Sequence, residues 1–156
     1  MEDVQRMLAA VTGTRDCIGV FQYALRLAER FEAKLFVLDI VHNPFAYTGW
    51  NLPIPSMEGD YQRLLKEVRH RLGVLIGEAK KKGFPVESLV KEGDPATQIV
   101  RVVEEEKIDL LLMPAHEETA LEHFFSGKMA EKIIRRMPCS VLLVKVEPTS
   151  VCEVGG

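Results

Sequence analysis

The sequence has few of the features that mark specialised protein classes. Its three cysteines, Cys17, Cys139 and Cys152, form neither a CxxC pair nor an even set, so we expect free thiols in a reducing compartment. No apolar run approaches the roughly 20 residues that span a membrane. The acidic start Met1-Glu2-Asp3 lacks the basic residues that open a signal peptide. We therefore expect a cytoplasmic protein with no membrane partner.

Positive charge is not in excess, with 20 Lys and Arg against 23 Asp and Glu. The formal net charge is −3, and no basic cluster of the kind that binds nucleic acid is present, so no nucleic-acid partner is expected. The hydrophobic fraction of 47% and charged fraction of 28% are typical of a globular protein. A chain of 156 residues suits one domain. We place this domain at residues 1–146 and a tail without helical periodicity at 147–156.

What the chain does contain is an alternation of strand-like and helix-like patterns. Helices are predicted between consecutive apolar runs: Ile18 to Phe31, Tyr61 to Ala79, a third opened by Asp94 as N-cap and Pro95, and a short fourth ending near Arg136. Such alternation is typical of right-handed βαβ units and a parallel sheet. The predicted strands are Met7 to Val11, Leu35 to Val41, Val86 to Val90, Leu110 to Met113 and Val141 to Val144.

Glycine is scarce in the loop where it would matter most. Open α/β sheets bind their ligands at loops that follow the carboxyl ends of parallel strands. Between the fourth and fifth predicted strands, Gly127 is the only glycine. A phosphate cradle usually has several, because its backbone N–H groups must approach the phosphate closely.

Four segments resemble a known family when they are taken in order. They are M-L-A-A-V-T-G-T, Y-A-L-R-L-A-E-R-F-E-A-K-L, E-G-D-P-A-T-Q-I and M-P-C-S-V-L-L-V. With their spacing they resemble the universal stress proteins from Met7 to Val146. The resemblance implies a Rossmann-like α/β three-layer sandwich (adenine nucleotide alpha hydrolase-like), with a five-stranded parallel sheet of order 3-2-1-4-5 and helices on both faces. It also implies a homodimer through the last strand, here Ser140 to Val146. Many members of the family bind ATP, and many others do not.

The family's ATP-binding members carry G-x-x-G, nine residues, then G-S/T after the fourth strand. In this chain Pro114, Glu117, Gly127 and Lys128 stand at those positions, and the spacing is kept. Proline removes a backbone donor and fixes φ. A carboxylate facing a phosphate charge at about 4 Å repels it by about 4 kcal/mol at an effective dielectric near 20. The sequence therefore predicts a degenerate nucleotide site.

The resemblance also implies which residues line this crevice. The family's first strand usually ends in an Asp that meets the nucleoside, and Thr12 stands there instead, as a weaker acceptor. We expect no tightly bound cofactor. An alternative stays open, in which ATP or AMP binds through Gly127 and Lys128 at a helix N-terminus. The residues predicted to line this vestigial crevice are Val11, Thr12, Val41, Pro114, His116, Glu117, Gly127, Lys128 and Met129.

The sequence gives only weak support for a metal site or for catalysis. Five polar residues crowd one loop, but its histidines are seven residues apart, not at the HExxH spacing, so a solvated loop is favoured over a metal site. No cysteine has a His/Asp partner pattern that indicates a nucleophile, so an enzyme is not expected. The five residues are His116, Glu117, Glu118, Glu122 and His123.

The segment from Asn43 to Gly59 is unusually aromatic for a loop. Phe45, Tyr47 and Trp50 lie between prolines, and so much apolar surface favours burial over contact with water. Two interpretations stay open: the segment covers an edge of its own core, or it serves as a partner contact, a dimer contact or a lid. Together these patterns predict a non-catalytic homodimeric stress-response module, with an ATP- or AMP-binding regulatory module as the alternative.

Overall fold

Strands and helices alternate along the whole described chain. The structure is a computed structural model that describes residues 3–11, 17–41, 55–115, 127–136 and 138–145. The strands are β1 (Arg6–Ala10), β2 (Lys34–Val41), β3 (Val86–Glu92), β4 (Leu110–Ala115) and β5 (Ser140–Lys145). The helices are α1 (Cys17–Phe31), α2 (Pro55–Lys81), α3 (Pro95–Glu105) and α4 (Gly127–Arg136).

The five strands form one parallel sheet of order β3-β2-β1-β4-β5. This order confirms the predicted fold class. The first strand pairs with both β2 and β4, so the chain leaves β1 in one direction and later returns to its other side. Such a reversal places a crevice at the carboxyl ends of β1 and β4.

Both faces of the sheet are buried. Met7, Ala9 and Val37 pack under α1 and α2, whereas Leu8 and Phe36 pack with residues of α3 and α4. Successive residues of a strand point to opposite faces, so burial on both faces requires an uninterrupted apolar run. The predicted strands therefore match the observed ones to within one or two residues at most ends.

The helix ends follow local chemistry that the sequence predicts. The Asp94 carboxylate accepts the Thr97 N–H at 3.0 Å and the Thr97 hydroxyl at 2.7 Å, and Pro95 opens α3. After the carboxyl end of α2, Gly83 has φ +78° and donates its N–H to the Lys80 carbonyl at 2.9 Å. The predicted N-cap at Asp94 is confirmed, and Gly83 follows α2 as its C-cap.

Two predicted boundaries are wrong. Residues Pro55 to Gly59, assigned to the aromatic loop, belong to α2, because proline fits the first helical position and Glu58 stabilises the first turn. The rest of that loop lies outside the described residues. The fourth strand does not end at Met113 but continues through Pro114 and Ala115, which pair in register with Val144 and Lys145.

The last strand is observed over Ser140–Lys145, and Val146 with the tail at 147–156 lies outside the described residues. Among the described helices, none combines the length and the apolar character that a membrane crossing requires.

Candidate functional site

The sheet opens between β1 and β4 at its carboxyl edge. The register of these two strands runs from Met7 opposite Leu110 only to Ala9 opposite Leu112. Beyond that point β1 stays with β2, since the Val11 N–H donates to the Leu38 carbonyl at 2.9 Å. On the other side β4 stays with β5 through Ala115. The two strands thus stop pairing here, at the position where a sheet of this order is expected to have its ligand crevice.

The β1 and β2 side of the crevice is apolar at the described positions. Val11 is 2% exposed and directly follows β1, and Val41, at 6%, is the last residue of β2. The Val41 carbonyl accepts the N–H of Gly93 at 3.1 Å, which joins this strand end to the turn after β3. Gly93 has φ +121°, a conformation that favours glycine. Parallel strands bring both predicted residues to one edge of the sheet.

The β4 side is shaped by Pro114. This residue is buried within the strand, one residue before its end, and stands opposite Val144 of β5. Proline has no N–H to donate to a neighbouring strand, and here it lies beyond the point where β1 stops pairing with β4. At the position predicted to correspond to the first glycine of the ATP-binding pattern, the chain therefore has a rigid residue inside the sheet.

The remaining described residues of the predicted crevice lie at the start of α4. Gly127 is the first residue of this helix, and Lys128 and Met129 follow in its first turn. The free N–H groups of a helix N-terminus favour anions. Three further predicted crevice residues, Thr12, His116 and Glu117, lie outside the described residues.

Positive charge on α4 is directed toward the start of α3. The pKa of the Asp94 carboxyl is lowered first by its hydrogen bond with the Thr97 side chain, and further by the Thr97 N–H and by the cations Lys132 and Arg136. These two cations of α4 therefore lie near enough to the N-cap of α3 to favour its charged carboxylate. Lys128 is one helical turn before Lys132 on the same helix.

Sequence reasoning missed an ion pair beneath α2. Within the part of the chain that the structure describes, Asp39 is the one charged residue that is buried, with 5% of its surface exposed. The Arg71 guanidinium lies 3.3 Å from its carboxylate, and the Arg71 side chain is 42% exposed. The available signal was a single acidic residue inside the apolar run L-F-V-L-D-I-V, which nothing local explains.

A second polar contact of α2 lies toward the amino-terminal end of the helix. The Tyr61 hydroxyl is buried beside the Glu92 carboxylate, and burial first, then hydrogen bonding and charge from Glu92, raise the pKa of Tyr61 to about 12. Glu92 ends β3 and stands in register with Val41. Tyr61 itself packs in one cluster with Val41, Leu65 and Val68.

The described ranges hold no group of three or more His, Cys, Asp or Glu side chains arranged to bind a metal ion. The polar loop weighed for such a site, with His116 and His123 at its ends, lies outside those ranges. Cys139 is a half-buried free thiol, and burial raises its pKa.

Known proteins are similar to this chain in sequence. A sequence profile describing the universal stress protein family matches residues 3–145. A universal stress protein of Methanocaldococcus jannaschii is 27% identical over 146 residues, which cover 90% of this chain and 82% of that protein.

Solved structures of universal stress proteins share the fold. One from Lactobacillus plantarum superposes with a TM-score of 0.70 at 16% identity, covering 93% of this chain and 100% of that one. A universal stress protein in complex with cAMP gives 0.62 at 21% identity, over 94% of this chain and 100% of that one. One from Archaeoglobus fulgidus in complex with dAMP gives 0.62 at 14% identity, over 92% and 100%.

Proposed function

Because this chain belongs to the universal stress protein family, we propose that it is a non-catalytic, cytoplasmic regulatory module whose nucleotide crevice is degenerate and does not hold ATP tightly. The proposed unit is a homodimer. Its output is conformational: partner proteins read the state of the crevice and of the dimer instead of a chemical product.

The observation that carries the degenerate site is the placement of Pro114. The residue is buried in β4 and in register with Val144, so its backbone belongs to the sheet. A triphosphate cradle needs successive N–H groups that are free to turn toward the ligand. Proline offers no N–H and has a fixed φ, so this position cannot supply the first of them.

Charge supports the same proposal. By its spacing from Gly127, Glu117 stands at the second glycine of the ATP-binding pattern, and its carboxylate opposes phosphate charge. The repulsion of about 4 kcal/mol at an effective dielectric near 20 corresponds to roughly a thousandfold in affinity. The helix N-terminus at Gly127 and the cation of Lys128 offset only part of this loss.

A second candidate function is the binding of a nucleoside monophosphate. Structural neighbours have been solved with cAMP and with dAMP, each of which carries a single phosphate. In this chain α4 still begins with Gly127 at the carboxyl edge, while the first glycine of the motif is replaced. One phosphate at that helix N-terminus does not require the lost glycines.

Equilibrium dialysis with ATP, AMP and cAMP, with and without Mg²⁺, tests both candidates. We expect ATP to bind more weakly than about 10 μM, and AMP to bind at least as tightly as ATP. Submicromolar ATP binding would overturn the degenerate site. ATP hydrolysis clearly above that of a buffer control would contradict the non-catalytic assignment.

Restoring the family's glycines tests which residues weaken ATP binding. Glu117→Gly is expected to tighten ATP binding by at least about tenfold, and Glu117→Gly with Pro114→Gly by more. Glu122→Gly, in the same loop but outside the motif, is the matched control and should change little. Equal gains in the control and in Glu117→Gly would show that loop flexibility, not phosphate repulsion, limits binding.

The homodimer rests on the exposed edge of the sheet. Within the described residues β5 pairs only with β4, and Leu143 on this strand is 47% exposed. An apolar strand edge is a template for pairing with a second chain. Leu143→Glu should shift sedimentation from dimer to monomer, whereas Leu64→Glu, at 43% exposure on α2, should not. A wild-type monomer at micromolar concentration would remove the dimer from the proposal.

A further inference from the structure

A small apolar cluster lies at the carboxyl end of β2, apart from the two larger ones. It consists of Val41, Tyr61, Leu65 and Val68, with Val90 packed against it, and we call it the Val41 cluster. Tyr61, Leu65 and Val68 come from one face of α2, and Val41 is predicted to line the crevice. The position of α2 on the sheet therefore determines what covers the Val41 strand end.

Two polar contacts lie at the borders of this cluster. The Asp39–Arg71 ion pair, at 3.3 Å, lies between it and the larger cluster that contains Val37 and Leu72, and Val90 packs against both clusters. At the outer border Tyr61 meets Glu92, which is in register with Val41. Tyr61 and Arg71 are ten residues apart on α2, or about 15 Å along its axis.

Apolar contacts alone would fix α2 poorly. Burial of apolar surface is non-directional, and such a helix can shift along a sheet with little change in buried area. The Asp39 carboxylate is different, because a buried charge is strongly unfavourable without its partner. The Arg71 guanidinium lies 3.3 Å from that carboxylate, so a shift of α2 along the sheet would lengthen this contact. Asp39 lies on the same sheet face as Val41, about 7 Å away.

We infer that Asp39 and Arg71, together with Tyr61, are positioning residues that hold α2 in one place over Val41 and so set the shape of the crevice beside this strand end. The inference rests on the proposed function, because the crevice is the nucleotide site proposed above. None of the three residues is assigned a direct contact with the ligand.

Hydrogen exchange of single amides tests the positioning without any ligand. The Gly93 N–H donates to the Val41 carbonyl and reports on this strand end, whereas the Asp109 N–H, which donates to the Arg6 carbonyl at 2.8 Å, reports on the opposite end. Asp39→Asn and Arg71→Gln should speed Gly93 exchange by at least about tenfold relative to Asp109. Arg71→Lys keeps the charge and should retain most of the protection.

A matched control exists on the same two strands. Lys34 of β2 pairs with Glu87 of β3 at 2.9 Å near the amino edge, and Glu87→Gln should leave Gly93 exchange unchanged. If Asp39→Asn proves too unstable to purify, Tyr61→Phe removes one hydroxyl and carries the test. Equal acceleration at Gly93 and Asp109 would show that the pair only adds to global stability, and that result overturns the inference, as does no acceleration.

Equilibrium dialysis with AMP is the second test of the inference. Asp39→Asn and Tyr61→Phe should weaken AMP at least about fivefold, with Glu87→Gln within about twofold of wild type. Unchanged AMP affinity in variants with faster Gly93 exchange would overturn the link to the crevice. A wild-type protein that binds neither AMP nor cAMP would refute the second candidate function, and the exchange experiment would then decide the positioning by itself.

Discussion

The Asp109 carboxylate accepts the main-chain N–H of Arg6 at 2.8 Å, and it accepts that of Gln5 at 2.9 Å with the same oxygen. The Asp109 N–H in turn donates to the Arg6 carbonyl. A residue just before β4 thus closes the amino end of β1, over a sequence separation of 103 residues from Arg6.

Loss of this carboxylate should destabilise the fold. Asp109→Ala leaves two N–H groups without their acceptor, one of them half-buried, and should lower the free energy of unfolding by about 1–3 kcal/mol. Urea denaturation at neutral pH measures the change. Asp60→Ala removes an exposed ion pair with Arg63, 3.6 Å long, and should cost less than about 1 kcal/mol. Equal losses in the two variants would contradict the bridging role of Asp109.

The N-cap of α3 should give a pH-dependent contribution to stability. The Thr97 hydrogen bond lowers the Asp94 pKa below its ordinary value of 3.8, so the folded state holds this proton less tightly than the unfolded state. The contribution is present above pH 3.8 and is lost as the pH falls through the folded pKa. Asp94→Ala should cost about 1 kcal/mol at pH 7.

Asp94→Asn is the control for this titration, because asparagine caps a helix but carries no titrating proton. The stability difference between wild type and Asp94→Asn should shrink on acidification below pH 3.8. A difference that stays constant over that range would show that the charge of Asp94 does not contribute.

Alkaline titration should single out Tyr61. Burial and Glu92 raise its pKa from 10.0 to about 12, so the folded state holds this proton more tightly than the unfolded state. Its contribution to stability is full below pH 10 and is lost as the pH rises to about 12. In a Tyr23→Phe, Tyr47→Phe background, ultraviolet absorbance should show phenolate forming near pH 12 while circular dichroism still reports a folded chain. Titration near 10 in the folded protein would refute burial of the hydroxyl.

Two glycines that differ in backbone conformation, one helical and one with positive φ, give a matched stability test. Gly73 is exposed within α2, and an added Cβ would meet nothing within 4 Å. Gly73→Ala should raise the free energy of unfolding by about 0.5–1 kcal/mol, because glycine loses more backbone freedom on folding. Gly83→Ala should lower it by about 1 kcal/mol, since φ is +78° there. Thermal denaturation of both variants measures the contrast, and shifts of the same sign would contradict it.

The fold could be predicted closely because its signals are local or repeated. Buried parallel strands are apolar on both faces, so a run such as Leu35 to Val41 stands out in the sequence. The Asp94-Pro95 pair marks a helix start with two independent preferences. The strand order, by contrast, came from the resemblance to a family, because periodicity does not encode which strands are neighbours.

The missed features depend on tertiary context. Pro114 in a strand contradicts local preference, and only the continued pairing with β5 keeps it there. The Asp39–Arg71 pair joins residues 32 positions apart, and its geometry depends on how α2 lies on the sheet. The predicted crevice residues Val11 and Val41 do reach one edge, because parallel strands all end there. The chemistry of the loops that follow depends on backbone dihedrals that apolar periodicity does not specify.

The separation of β1 from β4 also divides the polypeptide. Strands β1, β2 and β3 come from the first part of the sequence and β4 and β5 from the last, and the two groups meet along only three register pairs. The backbone passes from one group to the other once, through residues 106–109. A backbone cut there would interrupt no strand or helix, and we expect two separately produced pieces to reassemble when mixed. Recovery of the fold after such mixing would then report that two proteins fused to the pieces have met.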